Sequence, residues 1–163
     1  AMLVTASESI VKPVMQAIRE QLDRLPRKEI TEKSLSHSRL IVLKDKQEVI
    51  DFTNLYAPEH LIIQTTDYAD IAGQVENAGS VFMGPYTPES AGDYASGTNH
   101  TLPTNGYAKA YSGVNLDSFI KKITFQEITA DGIRLLGGTI RTMAANEQLD
   151  AHKNAVTIRL NTL

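Results

Sequence analysis

The chain has four histidines and no cysteine, so metal binding and proton transfer near neutral pH fall to those imidazoles and to carboxylates. Glu59-His60 follows directly on Ala57-Pro58. A carboxylate beside an imidazole makes an acid and base couple, in which the His moves the proton and the Glu polarises water. A solvated surface pair at a helix-to-strand junction has the same spelling, and both readings stand at this level. A second group occupies Glu89-Ser90-Ala91-Gly92-Asp93-Tyr94-Ala95-Ser96-Gly97-Thr98-Asn99-His100, where small residues let the backbone approach a ligand closely. Asp93 offers a carboxylate to zinc, and His100 a ligand atom or a hydrogen bond; an Asx turn and an ordinary loop histidine are the plainer alternative. Glu147 and His152 lie five residues apart, near the four-residue spacing that aligns side chains on one helix face. A solvated helix-end carboxylate and an exposed His would look alike. His37, among Ser34, Ser36 and Ser38, reads as surface.

The elements that must position these groups follow from apolar spacing. Residues 1–5 read as a buried strand that opens without a polar lead-in, as the start of a fragment would. Ser7 or Ser9 can cap a helix carrying Ile10, Val11, Val14, Met15, Ile18 and Leu22, with Pro13 tolerated near its first turn. Strands are expected at 40–43, 61–63 and 80–83, and helices at 47–56 and 68–78. Strands of continuous apolar residues alternating with helices predict an α/β fold, with an incomplete, Rossmann-like parallel sheet covered by helices on both faces. In such sheets ligands gather at the carboxyl ends of strands. Residues 85–107 are polar and Gly-rich, too long for a plain connector, and read as a functional loop. A short helical turn and strand are expected over 119–129, then helices over 130–146, interrupted at Gly137-Gly138, and 149–160. The predicted division is an α/β domain over 1–112 and a mostly helical tail over 113–163.

Composition narrows the partners. With 163 residues and 42% hydrophobic content the chain can build a core. Sixteen Lys and Arg against 19 Asp and Glu leave a net charge of −3 with no basic stripe, which disfavours nucleic acid and membrane surfaces. No apolar run reaches the roughly 18 residues of a membrane span. The chain reads as soluble and cytoplasmic. Gly84, Gly92, Gly97 and Gly106 do not form a dinucleotide-binding fingerprint.

Three segments in order, Tyr56-Ala57-Pro58-Glu59-His60-Leu61, Pro88 through His100, and Ala151-His152-Lys153-Asn154-Ala155-Val156-Thr157, resemble histidinol dehydrogenase, and the resemblance covers essentially the whole chain. It implies oxidation of L-histidinol to L-histidine through the aldehyde, with two hydride transfers to NAD, and a zinc ion that holds the substrate. By the same resemblance His60 is the base, Glu59 activates water, Asp93 and His152 are zinc ligands, and Glu147 contacts substrate, with His60, Asp93 and His152 also at the substrate. The family's remaining Gln and His zinc ligands and its NAD-binding region belong upstream of residue 1. It further implies a homodimer with exchanged carboxyl-terminal tails, burying Ile133, Leu135, Leu136, Ile140 and Met143, and a chain that is inactive alone. The alternative is a non-enzymatic α/β module for self-association or small-ligand binding, which requires Glu59, His60 and Asp93 to be scattered and solvated.

Overall fold

A computed structural model describes all residues from Ala1 to Leu163. It separates into two compact units, Ala1–Ile120 and Lys121–Leu163.

In the first unit, strand β1 (Met2–Thr5) leads through a 3-10 turn at Glu8–Ile10 into helix α1 (Val11–Leu22), whose Pro13 lies in the first turn, where a missing N–H costs little. Helix α2 (Lys28–Leu35) precedes strand β2 (Arg39–Val42), which pairs in parallel with β1, Leu3 opposite Leu40. Helix α3 (Lys46–Tyr56) starts at Asp45, whose carboxylate accepts the Glu48 N–H at 3.0 Å, while the Glu48 carboxylate accepts the Lys44 N–H at 2.8 Å. Strand β3 (His60–Ile63), helix α4 (Tyr68–Ala72) and strand β4 (Ser80–Met83) follow, with β3 and β4 parallel and His60 opposite Ser80. Lys46 Nζ donates to Asp67 at 2.7 Å, tying the start of α3 to the start of α4. That bond holds the Asp67 carboxyl below its usual range and the Lys46 ammonium above its own. Its small stabilising effect is present above the ordinary carboxylate pKa and fades as pH falls through the lowered value.

The strands pair in parallel as the apolar runs predict, but as two separate pairs, β1-β2 and β3-β4. Side chains alternate along a strand, so the β3-β4 pair has two faces. Leu61, Ile63 and Val81 join Ile50 of α3 and Tyr68, Ile71 and Ala72 of α4 in the core. His60, Ile62, Ser80 and Phe82 point the other way.

Further expectations change. The α4 helix is shorter than 68–78, because it ends at Gly73 and the chain turns through Gln74 and Val75. Residues 85–107 contain a six-residue helix, α5 (Glu89–Tyr94). No strand forms over 119–129; a 3-10 turn at Leu116–Phe119 is followed by exposed chain with Ile123 and Phe125 at 70% and 91% exposure, without the neighbouring strand that extended backbone requires.

The second unit is a helical hairpin. Helix α6 (Ala130–Asn146) is capped by the Thr129 hydroxyl, which accepts the Gly132 N–H at 3.1 Å, and it runs unbroken through Gly137-Gly138. Helix α7 (Asp150–Leu160) packs back on it, with Ala144 and Val156 buried. The turn between them puts Gln148 at φ 59° and closes with Leu149 N–H donating to the Ala144 carbonyl at 2.8 Å.

The adjacent glycines of α6 separate packing from propensity. A Cβ on Gly137 would meet Leu160 Cδ1 at 2.8 Å, whereas one on Gly138 would meet nothing within 4 Å. Gly138→Ala is expected to raise the unfolding free energy of the hairpin by about 0.5–1 kcal/mol, and Gly137→Ala to raise it by less, because its Cβ must push the Leu160 methyl aside. Helical circular dichroism melts of the two variants check this; equal shifts would contradict it.

Candidate active site

Glu59 and His60 are placed by the way α3 ends. Ala57 adopts the left-handed conformation at φ 54°, its N–H donates to the Thr53 carbonyl at 2.9 Å, and it is only 1% exposed. Pro58 then cannot continue the helix. Asn54 fixes this corner to the segment ahead of β4: its carbonyl oxygen accepts the Glu76 N–H at 2.8 Å and its amide donates to the Gln74 carbonyl at 2.9 Å. The Asn77 amide returns a bond to the Asn54 carbonyl at 3.0 Å.

The β3-β4 pairing continues backwards past the strand. Gly79 N–H donates to the Pro58 carbonyl and Ser80 N–H to the Glu59 carbonyl, each at 2.9 Å. A Cβ on Gly79 would stand 2.5 Å from the Glu59 carbonyl oxygen, so glycine is what permits this approach. The Glu59-His60 pair therefore sits at the amino end of β3, not at the carboxyl end where ligands of parallel sheets usually gather.

Helix α5 brings the second group to the same place. After β4 the chain turns at Gly84, φ 79°, and Thr87 Oγ1 donates to the Met83 carbonyl at 2.7 Å. The helix then lies over Phe82, which is 4% exposed, with Gly92 directly on the ring. A Cβ at Gly92 would be 2.6 Å from Phe82 Cε1. Ser96 N–H donates to the Ala91 carbonyl at 2.8 Å and Thr98 Oγ1 to the Gly92 carbonyl at 3.1 Å, securing the far end. Glu89 and Asp93, four residues apart, share one helix face.

The result is a cluster around the His60 imidazole. Its ring stacks on Phe82 with centroids 6.0 Å apart and an interplanar angle of 28°. Nδ1 lies 3.9 Å from Glu59 Oε1, and Nε2 lies 3.6 Å from Glu89 Oε1. Ligand atoms of His60, Glu89 and Asp93 all fall within 4.8 Å of one another, and all three residues are partly buried. One nitrogen and two carboxylate oxygens so close together suit a divalent cation with nitrogen and oxygen ligands. On its other side Glu59 borders a cavity of about 510 Å³ lined by Phe52, Tyr56, Pro58, Asn105 and Lys109, among others.

Of the residues singled out in the sequence, Glu59, His60 and Asp93 come together in the first unit. His100 is exposed on the segment after α5, and His37 is exposed at the end of α2. Glu147 caps the carboxyl end of α6 and His152 lies in the first turn of α7, both exposed and both in the second unit. Sequence reasoning placed Glu89 in the loop without a specific role, and it did not single out Phe82 or Gly92. The one signal for Glu89 was Pro88-Glu89 ahead of Ser90, a helix start.

The histidinol dehydrogenase family model matches residues 1–160. The histidinol dehydrogenase of Bacteroides thetaiotaomicron is 65% identical over 163 residues, which cover 100% of this chain and 38% of that protein. The chloroplastic histidinol dehydrogenase of Arabidopsis thaliana is 54% identical over 162 residues, 99% of this chain and 35% of its own length. The crystal structure of histidinol dehydrogenase from Elizabethkingia anophelis superposes with a TM-score of 0.87 at 53% identity, over 99% of this chain and 37% of that one. The chain thus spans somewhat over a third of the relatives it matches.

Gly92→Ala is the substitution expected to disturb the cluster most selectively. It should cost about 1–3 kcal/mol of stability by forcing α5 off Phe82, and shift the His60 ring resonances in NMR spectra. Wild-type melting with unmoved ring signals would show that the contact does not hold α5 in place.

Proposed function

Because the chain belongs to the histidinol dehydrogenase family, we propose that it is the part of such an enzyme that carries the proton-transfer groups, in the oxidation of L-histidinol to L-histidine through histidinal. The observation that supports this most is the meeting of Glu59, His60 and Asp93 in one partly buried cluster. A non-catalytic small-ligand or self-association module gives no reason for that convergence.

In this reading His60 takes the hydroxyl proton of histidinol as hydride leaves the same carbon, giving the aldehyde. Glu59, which borders both His60 and the cavity, takes a proton from the water that adds to the aldehyde, while protonated His60 gives its proton to the carbonyl oxygen, forming the hydrate and becoming a base again. His60 then removes a hydroxyl proton of the hydrate as the second hydride leaves, giving the acid. NAD supplies the hydride acceptor, and its site is expected outside these residues. Asp93 and His152 are the chain's proposed zinc ligands, and bound zinc supplies a fixed cationic anchor for the substrate. The donor set is compatible, since a carboxylate and an imidazole are ordinary zinc ligands and the chain has no thiol. Glu147 is proposed to contact the substrate.

His152 and Glu147 reach a site through a homodimer with exchanged tails in this proposal. Leu135, Leu136 and Met143 of α6 are 82%, 46% and 59% exposed, an apolar surface suited to a partner. Cytoplasmic residence belongs to the same proposal; no helix is long and apolar enough to cross a membrane.

Two of four protein zinc ligands and no cofactor region leave the chain silent by itself. Joined to the amino-terminal part of the Bacteroides thetaiotaomicron relative, it is expected to form NADH from histidinol with zinc present. His60→Ala should lower that rate by about 10²–10⁴-fold. Turnover by the 163-residue chain alone, or full activity of the His60→Ala hybrid, would overturn the reading.

A further inference from the structure

We infer that Glu89 is a positioning residue for His60, holding the imidazole from its Nε2 side while Asp93, one helical turn on, serves the metal. The inference rests on the reading of His60 as the base and adds a role for a residue that reading leaves without one.

Three observations carry it. First, each ring nitrogen of His60 faces its own carboxylate, Glu59 Oε1 at 3.9 Å from Nδ1 and Glu89 Oε1 at 3.6 Å from Nε2. Both gaps are longer than hydrogen bonds. Catalytic hydrogen bonds are often this long in unliganded sites and tighten in the substrate complex. Second, the stack on Phe82 fixes the plane of the ring but does not choose between the two orientations related by a half-turn about Cβ–Cγ, which exchange each nitrogen with a carbon. The Glu89 carboxylate supplies the missing restraint: it favours the orientation and tautomer that present N–H at Nε2, which leaves the Nδ1 lone pair to take a proton. Third, the Glu89 side chain makes no other ion pair or hydrogen bond, although it is only 39% exposed. A residue kept to start α5 would serve through its backbone, and its carboxylate would have no reason to turn inward.

Helix α5 gives the arrangement its consequence. Its seat on Phe82 through Gly92 carries Glu89 and Asp93 as one rigid piece, so the groups that orient the base and hold the metal move together. Two carboxylates this close repel each other unless positive charge lies beside them. The imidazolium formed at His60 during proton transfer is one such charge, and Glu89 is the carboxylate nearest to it.

The test uses two readouts. In the 163-residue chain with ¹⁵N-labelled histidine, the His60 signals are assigned by their loss in His60→Asn. Glu89→Gln should move the His60 Nε2 resonance more than the Nδ1 resonance and leave the backbone amides of β3 in place. In the hybrid completed with the Bacteroides thetaiotaomicron amino-terminal part, Glu89→Gln should lower kcat about 10–100-fold with KM and zinc content unchanged. Glu89→Asp should recover part of that loss. Loss of zinc in Glu89→Gln would make Glu89 a ligand and overturn the inference, as would an unmoved Nε2 resonance. A hybrid that is silent before any substitution removes the catalytic reading of His60, and the ring-nitrogen shifts then still decide whether Glu89 holds the ring.

Discussion

The pairing of β3 with β4 assigns opposite tasks to alternate residues of eight. One face, with Leu61, Ile63 and Val81, is committed to the core under α3 and α4. The other carries His60 and Phe82, and everything in the candidate site is referred to it. A shift of register by one residue would exchange the faces, sending the imidazole into the core and Ile63 to the site. The register is held outside the strands as well as within them, by Asn54 binding the segment before β4 and by the Gly79 and Ser80 amides on the Pro58 and Glu59 carbonyls. Two close approaches then finish the job. Gly79 admits the Glu59 backbone and Gly92 admits the Phe82 ring, so a pair of absent side chains brings three chemical groups to one point.

The two units make different demands on their surroundings. The first contains the His60, Glu89 and Asp93 cluster, made from its own residues. The second presents His152 and Glu147 at the turn of a helical hairpin whose outer face keeps Leu135 and Met143 exposed. Exposed apolar residues at that density belong to proteins with surfaces still to be covered, in keeping with a chain that spans 38% of a 65% identical relative.

Much of this was legible in the sequence. The apolar runs at 40–43, 61–63 and 80–83 marked parallel strands, which lack polar alternation, although Val42 and Ile62 stay 45% and 48% exposed. Glu59, His60 and Asp93 stood out by residue type. Spacing also put His60 at the start of the strand over 61–63; what it could not convey is that α5 folds back over Phe82 to form the site there, a long-range contact with no local trace. Helix α5 itself was hidden by Gly92 and the small residues around it, which lower helix propensity yet are what the close contact needs. The strand expected over 119–129 failed for the converse reason. Ile120, Ile123, Phe125 and Ile128 have the propensity, but no other strand pairs with this segment.

The central claim is that this chain by itself gathers His60, Glu89 and Asp93 over Phe82. Nuclear Overhauser contacts of the His60 ring protons in the 163-residue chain at neutral pH test it most directly. The account predicts contacts to the Phe82 ring and to the side-chain methylenes of both Glu89 and Asp93. Contacts confined to Glu59 and the neighbours within β3 would mean that α5 does not lie over the ring, and would contradict it.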